Sequence, residues 1–127
     1  MSPTLLTGDS SQAYVVLRMI AECWTGNAVT NSNWEDIWLN AGITTFVERE
    51  AVAQIFSRYE AMTGAFVGNN SLMEAVGILG ANHPTYLTLH PVLQGDNPNN
   101  AITIVPYEKG FQLMVFIQDV IMGWSNC

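Results

Sequence analysis

Positive charge is scarce in this sequence, and so is charge of any kind. Four lysines and arginines stand against eleven acidic residues, for a net charge of −7, and charged residues make up only 12% of the chain. Nucleic acid is bound through basic side chains that release counterions from phosphates. Anionic membrane surfaces attract basic segments in the same way. Neither partner is therefore expected, and no apolar run approaches the roughly 20 residues that would span a bilayer.

Cysteine and histidine are nearly absent as well. Cys23 and Cys127 are too few for a disulfide framework, which favours free thiols in a reducing compartment. The N-terminus shows no basic segment followed by an apolar run, so a cytoplasmic protein is expected. His83 and His90 have no partner at metal-ligand spacing, and we interpret them as loop histidines without a role. No metal and no other cofactor is predicted.

Apolar residues, by contrast, are plentiful. They make up 49% of the 127 residues, enough for one domain with a real core, and no repeat or linker divides residues 1–127. Strand signals are poor, with residues 101–105 as the best candidate, so the expected fold class is mostly α. The glycine-containing stretch 64–70 is expected to separate two helices. The apolar spacing predicts five helices: one after Ser11 up to Gly26, a short one through Trp38, one from Gly42 through Tyr59, one over 71–79 and one from Tyr107 to about Met122.

Three stretches of sequence are specific when they are taken together. They are residues 2–9 (SPTLLTGD), residues 24–49, which contain WTGNAVTN, WLN and VER, and residues 105–111 (VPYEKGF). In order and spacing they resemble the catalytic core of zinc aminopeptidases of the leukotriene-hydrolase type, over roughly residues 2–123. The resemblance implies a truncated core with the fold of the helical part of a thermolysin-like catalytic domain.

The positions of the family's zinc ligands are changed. That family binds zinc through His-Glu-x-x-His on one helix, with a further glutamate on the next helix. In register, these positions hold Arg18, Met19, Glu22 and Ala41. Arginine cannot lose its proton to become a ligand, and one carboxylate does not make a zinc site. The resemblance therefore implies that zinc and peptidase chemistry are lost, and the family's exopeptidase motif would lie upstream of the matched region.

A polar cluster is predicted where the zinc would stand. The resemblance places Glu48 beside a former histidine ligand whose position Arg18 now occupies, and an Arg18–Glu48 pair would neutralise a buried carboxylate. Arg18 also reaches Glu22, four residues further along the same helix. The cluster is either a salt-bridged plug that replaces zinc structurally, or a catalytic group in which a buried Glu22 works beside the Arg18 counter-charge.

Tyr107 is the best single catalytic candidate. In the resembling family this tyrosine donates a hydrogen bond to the oxyanion of the intermediate, and its motif is intact here. Retention by packing and ancestry is the alternative. Glu108 and Lys109 are interpreted as solvated charges of the first helical turn. Three of the four tryptophans, Trp24, Trp34 and Trp38, are interpreted as core residues, but Trp24 and Trp38, together with Glu48, are also candidates for substrate binding in the vacated pocket.

Two functions of different class follow from these residues. The first is a metal-independent enzyme that cyclises or isomerises a small hydrophobic molecule, or opens an epoxide in it, with Tyr107, Glu22 and Arg18 as catalytic groups. The second is a catalytically dead pseudo-peptidase that acts as a binding or scaffold protein, and a filled interior beside Tyr107 would be its sign. The large apolar content further predicts that the chain self-associates as a homodimer.

Overall fold

The protein is described by a computed structural model that covers residue 8 and residues 12–125, with side chains up to residue 122. Within this part of the chain there are four α-helices and no β-strand, which confirms the predicted mostly α fold class. The helices are α1 (Ala13–Glu22), α2 (Ile37–Ile55), α3 (Arg58–Asn82) and α4 (Ile104–Ser125). Short 3₁₀ turns lie at Trp34–Asp36, Pro84–Leu87 and Pro98–Asn100.

The central helix is α2, which packs against each of the other three. Its closest approach is to α4, where Gly42 meets Gly110: a Cβ built on Gly110 would lie only 2.7 Å from the Gly42 Cα. The two backbones therefore touch, and both positions need glycine. This contact explains why the short helix and the helix predicted to follow Gly42 are one continuous helix. It also holds the first turn of α4, which carries Tyr107, against the middle of α2.

The predicted break at residues 64–70 is wrong, because both glycines of that stretch lie inside α3. The Gly68 backbone lies against the Glu108 carboxylate, so no side chain fits there. The Gly64 carbonyl accepts a hydrogen bond from Arg49 Nη2 at 3.1 Å. The true start of the helix is marked by Ser57, whose Oγ accepts from the Glu60 backbone N–H at 3.1 Å as an N-cap.

The predicted strand at residues 101–105 does not form either. Ala101 ends a 3₁₀ turn, and α4 already begins at Ile104, three residues before its predicted start. The Thr103 hydroxyl oxygen accepts from the Val105 backbone N–H at 3.2 Å, and the Val105 side chain is completely buried. The apolar run of this segment thus anchors the beginning of a helix rather than a sheet.

Several large apolar residues between positions 47 and 59 are exposed. Val47, Ile55, Phe56 and Tyr59 lie at the surface, with Tyr59 83% exposed. Helical periodicity locates one apolar face, but only the neighbouring elements decide whether that face is covered. None of the described helices is long and apolar enough to cross a membrane.

Candidate functional site

A cavity of about 640 Å³ opens between α1, α2, the first turn of α4 and the segment that connects α1 to α2. One face of α2 forms its floor through residues 37, 40, 41 and 44, which follow the i, i+3, i+4, i+7 spacing of a single helix side. Arg18 and Glu22 reach the cavity from α1, and Tyr107 reaches it from α4. The three residues predicted to be catalytic therefore line the same cavity.

Arg18 makes both of the contacts that the sequence predicted. Its Nη1 donates to Glu48 Oε2 at 3.2 Å, and its Nε lies 3.4 Å from Glu22 Oε1. The guanidinium carbon also lies 5.1 Å from the centroid of the Tyr107 ring, at cation–π distance. Arg18 thus joins α1 to α2 and contacts the ring of α4 from one position.

Glu48 supports this arrangement from behind the cavity wall. Its side chain is only 18% exposed, and burial raises the pKa of its carboxyl although the charges of Arg18 and Arg49 oppose that shift. Glu48 is not among the residues that line the cavity. The structure therefore places Glu48 as the partner that holds Arg18, and it does not bring the carboxylate to the position of a substrate-binding group.

Glu22 is more exposed than expected. Its side chain is 52% exposed because it lies in the last turn of α1, at the mouth of the cavity. The expected burial of this carboxylate is wrong. Tyr107 is partly buried in the first turn of α4, and its hydroxyl has no hydrogen-bond partner among the described residues. Both groups are accessible from the cavity.

The tryptophans are arranged differently from the prediction. Trp24 is 68% exposed and does not line the cavity, and the partly buried Trp38 does not line it either. Trp34 does line it, and its ring is 58% exposed. The expectation of a buried core position is thus wrong for Trp24 and Trp34. Trp34 is the tryptophan that lines the cavity.

Much of the remaining cavity wall is polar, which residue-by-residue reasoning missed. The Thr44 side chain is buried, and its hydroxyl is hydrogen-bonded to that of Thr25. Asn40 Nδ2 donates to Asn31 Oδ1 at 2.6 Å. Thr25 and Asn31 belong to the WTGNAVTN stretch and Asn40 belongs to WLN, so the polar residues of these motifs were the signal that could have shown them.

A buried ion pair lies next to the site, contrary to the expectation of solvated charges. Arg49 Nη2 and Nη1 donate to both oxygens of Glu108, at 2.7 and 2.9 Å, and Glu108 is only 4% exposed. The Arg49 guanidinium also lies 4.2 Å from the Phe111 ring centroid. Lys109 Nζ donates to the Leu87 carbonyl at 2.6 Å. Glu108 and Lys109 therefore both fix the position of α4, and with it that of Tyr107.

His90 has partners that its sequence position did not show. Its Nδ1 lies 2.8 Å from Asp36 Oδ1, and its Nε2 lies 3.6 Å from Glu35 Oε2. Glu35 Oε1 also accepts from the Leu93 backbone N–H at 2.9 Å. The segment between α3 and α4, which carries His90, is thereby tied to the 3₁₀ turn Trp34–Asp36. The interpretation of His90 as a residue without a role is wrong structurally, because its partners are 54 positions away in the chain.

The side chains of the cluster formed by Arg18, Glu22 and Glu48 do not fit a zinc ion. The guanidinium of Arg18 lies between the two nearest carboxylates and carries the positive charge that a metal would otherwise supply. Met19 is exposed and Ala41 has no donor atom. Over the described part of the chain, no three His, Cys, Asp or Glu side chains form a group that could hold a metal ion.

Known proteins are similar to this chain over nearly its whole length. Leukotriene A-4 hydrolase of Xenopus laevis is 37% identical over 123 residues, which is 97% of this chain and 20% of that protein. Leucine aminopeptidase 2 of Sclerotinia sclerotiorum is 32% identical over 94% of this chain and 20% of its own length. The solved structure of yeast LTA4 hydrolase in complex with bestatin superposes with a TM-score of 0.83 at 34% identity, covering 96% of this chain and 19% of that one.

The chain thus spans about a fifth of the length of the curated relatives it matches. Within the chain itself the match is nearly complete, because the Peptidase family M1 domain aligns with residues 5–125. The helical fold, the intact tyrosine motif and these relatives lead to one conclusion: the chain belongs to peptidase family M1.

Proposed function

We propose that the cavity binds a small, largely apolar molecule and, without zinc, cyclises or isomerises it or opens an epoxide in it. The observation that carries the proposal is the convergence of Arg18, Glu22 and Tyr107 on one cavity of about 640 Å³. That volume is in the usual range of roughly 300–1,000 Å³ for small-molecule sites. The names of the relatives, a leukotriene A-4 hydrolase and leucine aminopeptidases, support an origin from an epoxide hydrolase or aminopeptidase core.

Each of the three residues has a distinct role in this proposal. The Tyr107 hydroxyl, which has no partner among the described residues, donates a hydrogen bond to an oxygen of the substrate and stabilises the charge that develops there. The Glu22 carboxylate at the cavity mouth accepts a proton from a hydroxyl or C–H group of the substrate and returns it to the product, so no proton is gained or lost. Where an epoxide opens, a hydroxyl group of the substrate or a water molecule forms the new C–O bond as the epoxide C–O bond breaks. Arg18 holds Glu22 in place, and its positive charge above the tyrosine ring favours the developing anion. Trp34 and Ile37 provide apolar surface for the carbon skeleton.

A non-catalytic binding or scaffold protein is the second candidate. The observation that favours it is the pairing of Arg18 with two carboxylates, which a purely structural staple would also show. A scaffold, however, was expected to have a filled interior beside Tyr107, and a cavity lies there instead. The cavity supports a ligand-binding function, and the enzyme is the proposal we prefer.

Native mass spectrometry of the purified protein is the first experiment. We expect a metal-free protein that retains an apolar ligand of small mass. A stoichiometric zinc ion would contradict the proposal directly, since the side chains at the site do not fit that metal.

Turnover of the retained ligand, or of epoxide-bearing analogues, then tests Tyr107→Phe. Loss of the hydroxyl should lower turnover at least about tenfold, equivalent to roughly 1.4 kcal/mol in the barrier. Tyr59→Phe is the matched control, because its hydroxyl is exposed and lies outside the cavity. If Tyr107→Phe and Tyr59→Phe turn over the ligand at the same rate, Tyr107 has no part in the mechanism. Ligand binding without any turnover would favour the binding protein.

A further inference from the structure

The outward face of α3 is apolar along most of the helix. The inward face is defined by Gly68 and Leu72, which are buried against the rest of the fold. The opposite side carries six large apolar residues that are each between 56% and 83% exposed: Tyr59, Met62, Phe66, Val67, Met73 and Ile78. A helix that is apolar on both faces is normally covered on both faces. The outer face of α3 therefore has the composition of a contact surface.

The area of this face is large for a monomer. If a fully exposed side chain of this size offers roughly 150–250 Å², the six residues expose on the order of 600–1,000 Å². The largest apolar patch on a typical monomer is roughly 300–600 Å². One partner's share of a standard protein–protein interface is about 800 Å². The face is thus close in size to what one protomer contributes to a stable dimer.

The face is also complementary to itself in shape. Tyr59, Phe66, Met73 and Gly77 follow one another at spacings of seven and four residues, so they share one line along the helix. The four residues of this line carry no charge, and the exposed Glu60 and Glu74 flank the line on one side. Its bulky residues lie toward the start of α3, whereas a Cβ built on Gly77, near the end, meets nothing within 4 Å.

We propose that α3 is the contact helix of a two-fold homodimer of this chain. Two copies of α3 pack antiparallel, so that Tyr59 of each protomer lies over Gly77 of the partner subunit and the two Phe66 side chains lie near the axis. An isologous interface requires a surface that fits its own copy, and a line with bulky residues at one end and an open glycine at the other meets this requirement. The inference does not depend on the catalytic proposal.

Analytical ultracentrifugation of the full chain over a concentration series tests the proposal with three variants. Phe66→Glu places a charge at the centre of the face and should raise the dimer dissociation constant at least about 100-fold. Phe116→Glu is the matched control, since Phe116 on α4 is 64% exposed against 67% for Phe66. Its dissociation constant should equal that of the unmodified chain.

The third variant, Gly77→Leu, separates dimerisation from folding. Leucine is a better helix former than glycine and has open space at this position, so the protomer should unfold at a higher temperature. The same side chain should block Tyr59 of the partner subunit and weaken the dimer. A chain that stays monomeric at every concentration would overturn the proposal. A dimer that dissociates in the Phe116→Glu variant but not in the Phe66→Glu variant would also overturn it. A dimer whose dissociation constant is unchanged by Gly77→Leu would do the same.

Discussion

The ion pair between Arg49 and Glu108 gives a quantitative test of how this fold is held together. The two side chains are only 14% and 6% exposed, and the guanidinium donates to both carboxylate oxygens at 2.9 and 2.7 Å. The substitution Arg49→Met removes the charge but keeps an unbranched apolar side chain beside the Phe111 ring. It leaves the Glu108 carboxylate buried, with the Gly68 backbone closing one side of it.

An uncompensated buried charge makes this substitution expensive. Breaking a buried ion pair by removing one partner costs roughly 3–5 kcal/mol, and the hydrogen bond from Arg49 to the Gly64 carbonyl is lost as well. Domains of this size are stable by only about 5–15 kcal/mol. We therefore expect Arg49→Met to remove a large fraction of the stability. Tyr107 directly precedes Glu108 in α4, so the cavity should be disturbed too.

Urea unfolding, followed by circular dichroism at fixed protein concentration, measures this loss. Arg58→Met is the matched control, because it removes the same charge from an exposed position and should change the unfolding free energy by no more than about 0.5 kcal/mol. The double variant Arg49→Met/Glu108→Leu replaces both charges by apolar side chains and should recover most of the stability. A loss below about 1 kcal/mol for Arg49→Met, or no recovery in the double variant, would refute the reasoning.

Two further predictions concern packing and pH. Gly110→Ala should destabilise the protein by roughly 1–3 kcal/mol in thermal unfolding, because its Cβ meets the Gly42 backbone, whereas Gly80→Ala, whose Cβ meets Leu87 Cδ1 at an ordinary 3.8 Å, should gain up to about 1 kcal/mol; equal effects would contradict the close approach of α2 and α4. Burial raises the pKa of Glu48 above its ordinary value of 4.5, so its contribution to the unfolding free energy is present at low pH and is lost as the pH rises through the folded-state pKa. Urea unfolding as a function of pH should show this fall in the unmodified chain and a flatter profile in Glu48→Gln, and parallel profiles would contradict it.

The parts of the structure that sequence reasoning predicted are those set by local spacing or by a family motif. The contact of Arg18 with Glu22 follows from i, i+4 spacing, and that with Glu48 follows from the motif register. Burial was harder to predict, because it depends on elements that are distant in sequence. Glu108 resembles a solvated first-turn charge until its partner, 59 positions earlier, is known. The continuous helix α3 was missed for the same reason, since its glycines serve contacts with α2 and α4.

The polar cluster of Arg18, Glu22 and Glu48 can serve as a staple and as a binding site at once. Nε and Nη1 of Arg18 are used for Glu22 and Glu48, which fixes the guanidinium above the Tyr107 ring. An arginine has five N–H donors, and among the described residues Nη2 has no partner, nor has the Tyr107 hydroxyl. Because the ion pairs already hold these donors in position, a ligand oxygen would meet a preorganised pair, and such preorganisation is what makes electrostatic stabilisation effective in catalysis.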